Sequence, residues 1–268
     1  MSRIGAKFEE LGSKGEGALI AFVTVGDPNP KLTPRIVQAL AKYADIVELG
    51  IPFSDPIADG PTIQGATDRA LKAGTTPESV RKVIRQIRRT SDVPLVVLTY
   101  YNIVFKRGVD KFLRDFTAAG MDGIIIPDMP VEEAGEVLRA TKKYGADLIL
   151  LVAPTTTPER LKRICDASSG FLYIVSLLGV TGARKRLSGL VKPLIADVRK
   201  TSRVPIAVGF GISKPEHVKE VIEAGADGVI VGSAFVNLIA KNLKNRQRML
   251  RELDKFGKTL KAATRLAR

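Results

Sequence analysis

Glu48 lies inside the apolar run DIVELG, flanked by Val47 and Leu49, and Asp59 follows eleven residues later in the proline- and glycine-rich stretch IPFSDPIADGPTIQ. Burying a carboxylate among aliphatic side chains is unfavourable and raises its pKa toward the range in which it can move protons. The pair points to acid–base chemistry, although spacing alone also allows Glu48 to meet an Arg across the fold. Three glycine-rich turns, GVTG at 179–182, GFG at 209–211 and GSA at 232–234, form the complementary feature. Glycines let backbone N–H groups approach a ligand, and Ser233 is placed to cap a short helix AFVNLIA whose N-terminus favours an anion. The same glycines would also serve as plain turns, but three in consecutive loops suggest a phosphate site. Asp27 and Asp128, each beside a proline, read as loop braces.

Other chemistries lack their residues. No Lys ends a predicted strand, which argues against Schiff-base aldol chemistry. The single histidine, His217, falls in a helical pattern among charges, so neither a His-ligated metal nor an isomerase of the triosephosphate type is expected. Proton transfer by carboxylates on a small phosphorylated substrate remains.

Eight short runs must position these groups: 18–25, 45–50, 94–100, 122–127, 147–153, 171–176, 205–210 and 227–232. They are continuously apolar, as strands buried on both faces of a parallel sheet are. Amphipathic segments lie between them, at 30–44, 76–90, 109–120, 132–145 and 214–225. The unit AAGMDGIIIP at 118–127 recurs as EAGADGVIVG at 223–232. Eight such repeats predict an α/β fold, a single (β/α)8 TIM barrel over residues 1–268, with active groups where the strands end. A dinucleotide-binding sheet would want G-x-G-x-x-G after the first strand, where GDPNP stands instead. SRIGAKFEELG reads as an extra N-terminal helix plugging the barrel's base.

At 268 residues, 45% hydrophobic and 26% charged, the chain has the composition of a globular protein with a sizeable core. One cysteine, Cys165, forms no internal disulfide, so a cytoplasmic location is expected. No apolar run approaches the ~18 residues of a membrane span, and the run at 18–25 precedes GDPNP, not a signal-peptide cleavage site. Much of the net charge of +14 sits in one place: residues 241–268 hold ten Lys or Arg against Glu252 and Asp254, a net +8. Met249, Leu250, Leu253, Phe256, Leu260 and Ala263 recur there at helical spacing, predicting a docked C-terminal helix with its basic face in solvent. With no Trp, 6% aromatic residues and no nucleic-acid-binding motif, no nucleic-acid or membrane partner is expected.

The segment DIVELGIPFSDPIADGPTIQGATDRAL, with LTYYNIVF, PDMPVEEA, YIVSLLGVTGAR, GFGIS and VGSA after it, resembles the tryptophan synthase α subunit family along almost the whole chain. The resemblance implies retro-aldol cleavage of indole-3-glycerol phosphate to indole and glyceraldehyde 3-phosphate. It implies no cofactor and no metal on this chain, with pyridoxal phosphate expected only on a partner β subunit in an α2β2 heterotetramer. By the matching motifs, Glu48 would shuttle protons, Asp59 would stabilise charge at the indole nitrogen and Tyr173 would orient Glu48. Phe22, Leu98 and Tyr100 would wall the indole. Gly182, Phe210, Gly211, Gly232 and Ser233 would surround the phosphate. Residues 177–188 would be a lid, with Thr181 meeting Asp59, while Pro52 and Asp55 would face the partner. Leu177 and Leu178 depart from the polar pair that many members carry before GVTG. A phosphosugar isomerase on the same barrel is the alternative, and a purely partner-binding role is a weaker one.

Overall fold

The computed structural model describes residues 2–175, 191–209 and 211–265. Among these residues nine strands form one parallel sheet: β1 (Ala18–Thr24), β2 (Ile46–Gly50), β3 (Leu95–Leu98), β4 (Gly123–Ile125), β5 (Asp147–Ile149), β6 (Leu151–Val152), β7 (Leu172–Val175), β8 (Ile206–Gly209) and β9 (Gly228–Val231). Their order is β5-β4-β3-β2-β1-β9-β8-β7-β6. The two outer members of that order are consecutive in the chain, parted only at Leu150, whose carbonyl accepts the Tyr173 N–H at 3.1 Å. The single predicted run 147–153 is thus two short strands that close the sheet into a barrel.

Among the described residues twelve helices accompany the strands: α1 (Arg3–Ser13), α2 (Thr33–Leu40), α3 (Pro61–Lys72), α4 (Pro77–Arg88), α5 (Tyr101–Arg107), α6 (Val109–Thr117), α7 (Gly135–Tyr144), α8 (Pro158–Ala167), α9 (Val191–Thr201), α10 (Pro215–Glu223), α11 (Ser233–Lys241) and α12 (Arg246–Ala262). The main core lies between strands and helices, where β1 contributes Leu19, Ala21 and Val23 and α4 contributes Val80, Val83, Ile84 and Ile87.

The alternate strand residues point inward. Ile20, Ile46, Val96, Ile125, Ile149, Phe171, Ala207 and Ile230 form one interior layer, and Ile4, Phe8 and Leu11 of α1 pack beneath it. The N-terminal helix therefore plugs the base as its sequence predicted. Because side chains alternate along a strand, the next inward layer is read two residues further on: Phe22, Glu48, Leu98, Tyr173, Gly209 and Gly232. Register makes Phe22 the neighbour of Glu48 and Glu48 that of Val96, all three on the inward-facing side of their strands.

The C-terminal helix docks as expected. Met249, Leu253 and Leu260 are buried, and Leu250, Phe256 and Ala263 pack against the same core. Part of its basic charge pins it in place: Lys261 Nζ lies 2.8 Å from Asp45 and 3.2 Å from Glu16, Arg265 lies 3.1 Å from Glu16, and Lys42 reaches Asp254 at 2.8 Å. Lys241, Lys244, Arg246, Arg248, Arg251, Lys255 and Lys258 are exposed. No helix of the described residues is long and apolar enough to cross a membrane.

Candidate active site

At the C-terminal ends of the strands, a cavity of about 200 Å³ is lined by Phe22, Glu48, Asp59, Ile63, Leu98, Tyr173, Gly209, Gly211, Ile212, Ser213, Ile230, Gly232 and Ser233. Glu48, 1% exposed, projects from β2. Its Oε2 has no hydrogen-bond partner among the described residues, and no Arg pairs with it there. Burial, reinforced by the negative charge of Asp59, pushes its pKa up to about 8. A carboxyl group that changes protonation near neutrality can both give and take a proton in one cycle.

Asp59, on the loop between β2 and α3, lines the same cavity. Burial raises its pKa as well, and a hydrogen bond from Tyr100 works in the opposite direction. The loop is fixed from several sides. Tyr100 Oη donates to Asp59 Oδ2 at 3.0 Å and accepts the Ala58 N–H at 3.1 Å, while Gln64 Nε2 donates to the Asp59 carbonyl at 2.8 Å. The Tyr173 hydroxyl is held well above its ordinary pKa by burial and by the charges of Glu48 and Asp59, so it stays a neutral hydrogen-bond donor facing both. No hydrogen bond joins Tyr173 to Glu48 among the described residues.

Apolar groups form the remaining wall. Phe22 spreads over Gly50, where a Cβ would come within 2.8 Å of its ring, and Gly209 leaves room for the ring of Tyr173. Leu98, Ile63 and Ile230 complete this side. Tyr100 is not on the wall; its ring lies tilted against Phe53 with the centroids 5.3 Å apart, and its hydroxyl is used in bracing Asp59. On the opposite side, Gly211 has a φ of +65°, a left-handed conformation that suits glycine, and no atom lies within 4 Å of where its Cβ would stand. Ser233 is exposed at the start of α11. It does not cap that helix: the N-cap is Gly232, which has no side chain to accept a hydrogen bond, and Ser233 is the first helical residue. The first N–H groups of a helix have no carbonyl partner within it, and Gly232 and Ser233 at this end line the cavity.

Gly182, Phe210, Thr181, Leu177, Leu178 and the expected lid lie outside the described residues; of the other sequence-selected groups, Glu48, Asp59, Tyr173, Phe22, Leu98, Gly211, Gly232 and Ser233 line this cavity, and Tyr100, Pro52 and Asp55 do not. Pro52 is buried within the chain itself, whereas Asp55 is exposed. Asp27 and Asp128 are braces, as predicted: Asp27 takes a two-point ion pair from Arg69 at 2.7 and 2.8 Å, and Asp128 accepts the Tyr101 N–H at 2.9 Å. Ile63, Ile212, Ser213 and Ile230 were not anticipated. Among the described residues no cluster of three or more His, Cys, Asp or Glu is placed to hold a metal ion.

A larger groove, about 500 Å³, lies at the other end of the barrel between α1 and the segment entering β8. Two of its lining acids are ion-paired: Asp227 with Arg199 at 2.6 Å, and Glu16 with Lys261 at 3.2 Å and Arg265 at 3.1 Å.

Fold and site together define a (β/α)8-barrel enzyme, with two carboxylates, Glu48 and Asp59, lining one strand-end cavity beside Gly209, Gly211 and Gly232. The family model described as tryptophan synthase alpha chain matches residues 8–265. The tryptophan synthase alpha chain of Methanocaldococcus jannaschii is 49% identical over 255 residues, covering 95% of this chain and 90% of the relative. That of Methanosarcina acetivorans is 54% identical over 238 residues, covering 88% and 86%. Among solved structures, the tryptophan synthase α2β2 complex of Pyrococcus furiosus contains a chain that superposes with a TM-score of 0.87 at 42% identity, covering 92% of this chain and 98% of that one. The chain belongs to the tryptophan synthase alpha chain family.

Proposed function

We propose that this chain is a carbon–carbon lyase acting as a single barrel domain in the cytoplasm. It cleaves indole-3-glycerol phosphate to indole and glyceraldehyde 3-phosphate without a cofactor of its own. The observation that carries the reading is the presence of Glu48, with its pKa near 8, and Asp59 on one cavity that also has an apolar wall. Protonated Glu48 delivers its proton to C3 of the indole ring, which becomes a positively charged indolenine. Asp59, ionised and held by Tyr100, stabilises that charge at the ring nitrogen. Glu48, now a carboxylate, takes the proton of the glycerol hydroxyl. As that oxygen becomes a carbonyl, the bond between C3 and the side chain breaks, its electrons return to the ring, and both products leave neutral at the reacting atoms.

Phe22, Leu98, Ile63 and Ile230 hold the indole, and Tyr173 steadies Glu48. Backbone groups at Gly211 and Gly232, with Ser233, take the phosphate, an arrangement suited to the loops after the last two strands of such barrels. Gly182 and Phe210 belong to the same phosphate set by motif, and Thr181 to the lid. By likeness to the Pyrococcus furiosus α2β2 complex, the chain hands indole to a β subunit, where pyridoxal phosphate chemistry resides.

Incubating the purified chain with indole-3-glycerol phosphate and assaying both products tests the reading. Equimolar indole and glyceraldehyde 3-phosphate are expected. Conversion of a phosphosugar without release of indole would favour an isomerase instead.

A further inference from the structure

Helix α3 connects the Asp59 loop to the rest of the barrel, yet apolar contact seats it weakly. Of its 12 residues only Ala66, Thr67 and Ala70 are buried, all of them small, whereas α4, also 12 residues long, buries Val80, Val83, Ile84 and Ile87. At ~0.8 kcal/mol per buried CH2 group, the α3 face contributes only a fraction of what the α4 face does. Its N-cap, Gly60, offers no side-chain hydrogen bond either.

An ion pair compensates near the other end of the helix. Arg69 Nε and Nη2 donate to the two carboxylate oxygens of Asp27 at 2.7 and 2.8 Å, and the Asp27 side chain is fully buried. Asp27 sits in the turn after β1, where its own N–H is held by the Thr24 carbonyl at 3.2 Å and the preceding Gly26 N–H by Thr33 Oγ1 at 3.0 Å. The turn is a fixed anchor, and the two-point geometry sets direction as well as distance.

We propose that the Arg69–Asp27 pair is a positioning element for the lyase reaction: it locks α3 against the first strand-end turn and thereby sets where Asp59 stands opposite Glu48. The assignment rests on the role given above to Asp59. From Pro61 to Arg69 the helix is a rigid lever of about 12 Å at ~1.5 Å per residue. At its near end, the N–H groups of Ile63 and Gln64 bond to the Gly60 carbonyl, both at 3.0 Å, and the Gln64 side chain bonds to the Asp59 carbonyl at 2.8 Å. Arg69 itself does not line the cavity. Removing it leaves Asp27 buried without a partner, and the turn or the helix must shift to hydrate it. A displacement of ~1 Å at a catalytic group can reduce turnover on the order of 10²-fold.

The test is a double-mutant cycle on the full chain, with kcat and KM for indole release measured well below each variant's Tm. Arg69→Met is expected to lower kcat by about 10- to 100-fold, with KM moving much less, because Asp59 acts on charge that develops during the reaction. Arg69→Lys, which keeps the charge and loses the fork, should recover part of the loss. In an Asp59→Asn background, Arg69→Met should change kcat by less than about 2-fold, since its effect passes through Asp59. An equal loss in both backgrounds, or a lowered Tm with unchanged kcat, would overturn the positioning role while leaving the lyase assignment standing. Should Arg69→Met fail to fold, Arg69→Lys takes its place in the same cycle. A wild-type chain that releases no indole would overturn the lyase assignment, and the positioning role with it.

Discussion

Tyr100 and Asp59 share a 3.0 Å hydrogen bond in which the phenol donates to Oδ2, and the same phenolic oxygen accepts the Ala58 N–H at 3.1 Å. One side chain from the end of β3 thus fixes both the carboxylate and the backbone of the loop that carries it. Burial raises the pKa of Asp59, and this hydrogen bond opposes the rise by favouring the ionised form.

Tyr100→Phe should therefore move the pKa of Asp59 further up. The reaction needs Asp59 ionised, so activity should be lost at higher pH on the acid side than in the wild type. Losing a hydrogen bond to a charged group is worth about 1.5–3 kcal/mol, which corresponds to roughly a 10- to 100-fold drop in kcat near neutrality. The pH profile of kcat is the measurement, and an unmoved acid limb would remove Tyr100 from control of Asp59.

Glu48→Gln should abolish proton shuttling, lowering kcat by about 10²- to 10⁴-fold. It should also change stability in a pH-dependent way. The folded-state pKa of Glu48, about 8, lies above its ordinary 4.5. The protonated form is thus favoured by folding: that contribution is complete below pH 4.5 and is lost as pH rises through 8. Above that point the wild type buries an unpaired charge that the amide lacks. Denaturation at pH 9 should find Glu48→Gln the more stable by on the order of a few kcal/mol, with the gap closing below pH 5. A gap that stays constant with pH would contradict the burial of a charge at this position.

Most of the barrel was legible in the sequence because eight apolar runs alternate with amphipathic segments, and each run falls on a strand to within a residue or two. The split of 147–153 was not legible, since nothing in DLILLVA marks Leu150 as the point where pairing passes from β4 to β7. Tyr173 was reached only through the family resemblance, whereas Glu48 stood out as a carboxylate in an apolar run. Ile230 and Ile63 did not, for continuously apolar strands hide which residues face inward, and α3 lacks a hydrophobic stripe to announce its orientation. Ile230 could have been found by counting back two residues from Gly232. The capping role expected of Ser233 failed by one residue, a shift smaller than sequence patterns define at helix ends. The position of Tyr100 behind Asp59 depends on a contact 41 residues away in sequence, beyond the reach of any local pattern.

At the base of the barrel, Arg88 closes the turn between α4 and β3. Its guanidinium donates to Asp122 Oδ2 at 2.6 Å, to the Gly120 carbonyl at 2.7 Å and to the Val93 carbonyl at 2.7 Å, and Asp122 also accepts the Leu95 N–H at 2.8 Å. Arg88→Met should destabilise the chain by about 1–3 kcal/mol, because the Gly120 and Val93 carbonyls lose their donor while Asp122 keeps Arg3 at 2.9 Å and the Leu95 N–H at 2.8 Å. In a protein of this size that lowers Tm by roughly 5 °C. The chemistry lies at the opposite end of the strands, so kcat measured at low temperature should stay within about 2-fold of wild type. A large fall in kcat with an unchanged Tm would contradict this division of labour.

The loop that holds Asp59 presents its outer face to solvent: Ile57 is 82% exposed and Asp55 is exposed beside it. Its inner face is tied by the Asp59 N–H to the Pro56 carbonyl at 3.1 Å and by the Ile57 N–H to the Asp55 carbonyl at 3.0 Å. Pressure on the outer face is therefore transmitted to Asp59 through a short, internally bonded turn. A β subunit packing on Ile57 and Asp55 would hold the loop in the arrangement that opposes Asp59 to Glu48, and by linkage a ligand that closes the cavity would tighten the β subunit's grip. Indole release by the lone chain should be slow and should rise at least tenfold when its own β subunit is added, a coupling of about 1.4 kcal/mol or more. Asp55→Ala should weaken that rise more than it weakens the basal rate, since its side chain does not line the cavity. Titrating the β subunit into wild-type and Asp55→Ala chains under identical substrate provides the measurement. Equal rates with and without the β subunit would sink the coupling and leave the lyase chemistry of Glu48 and Asp59 untouched.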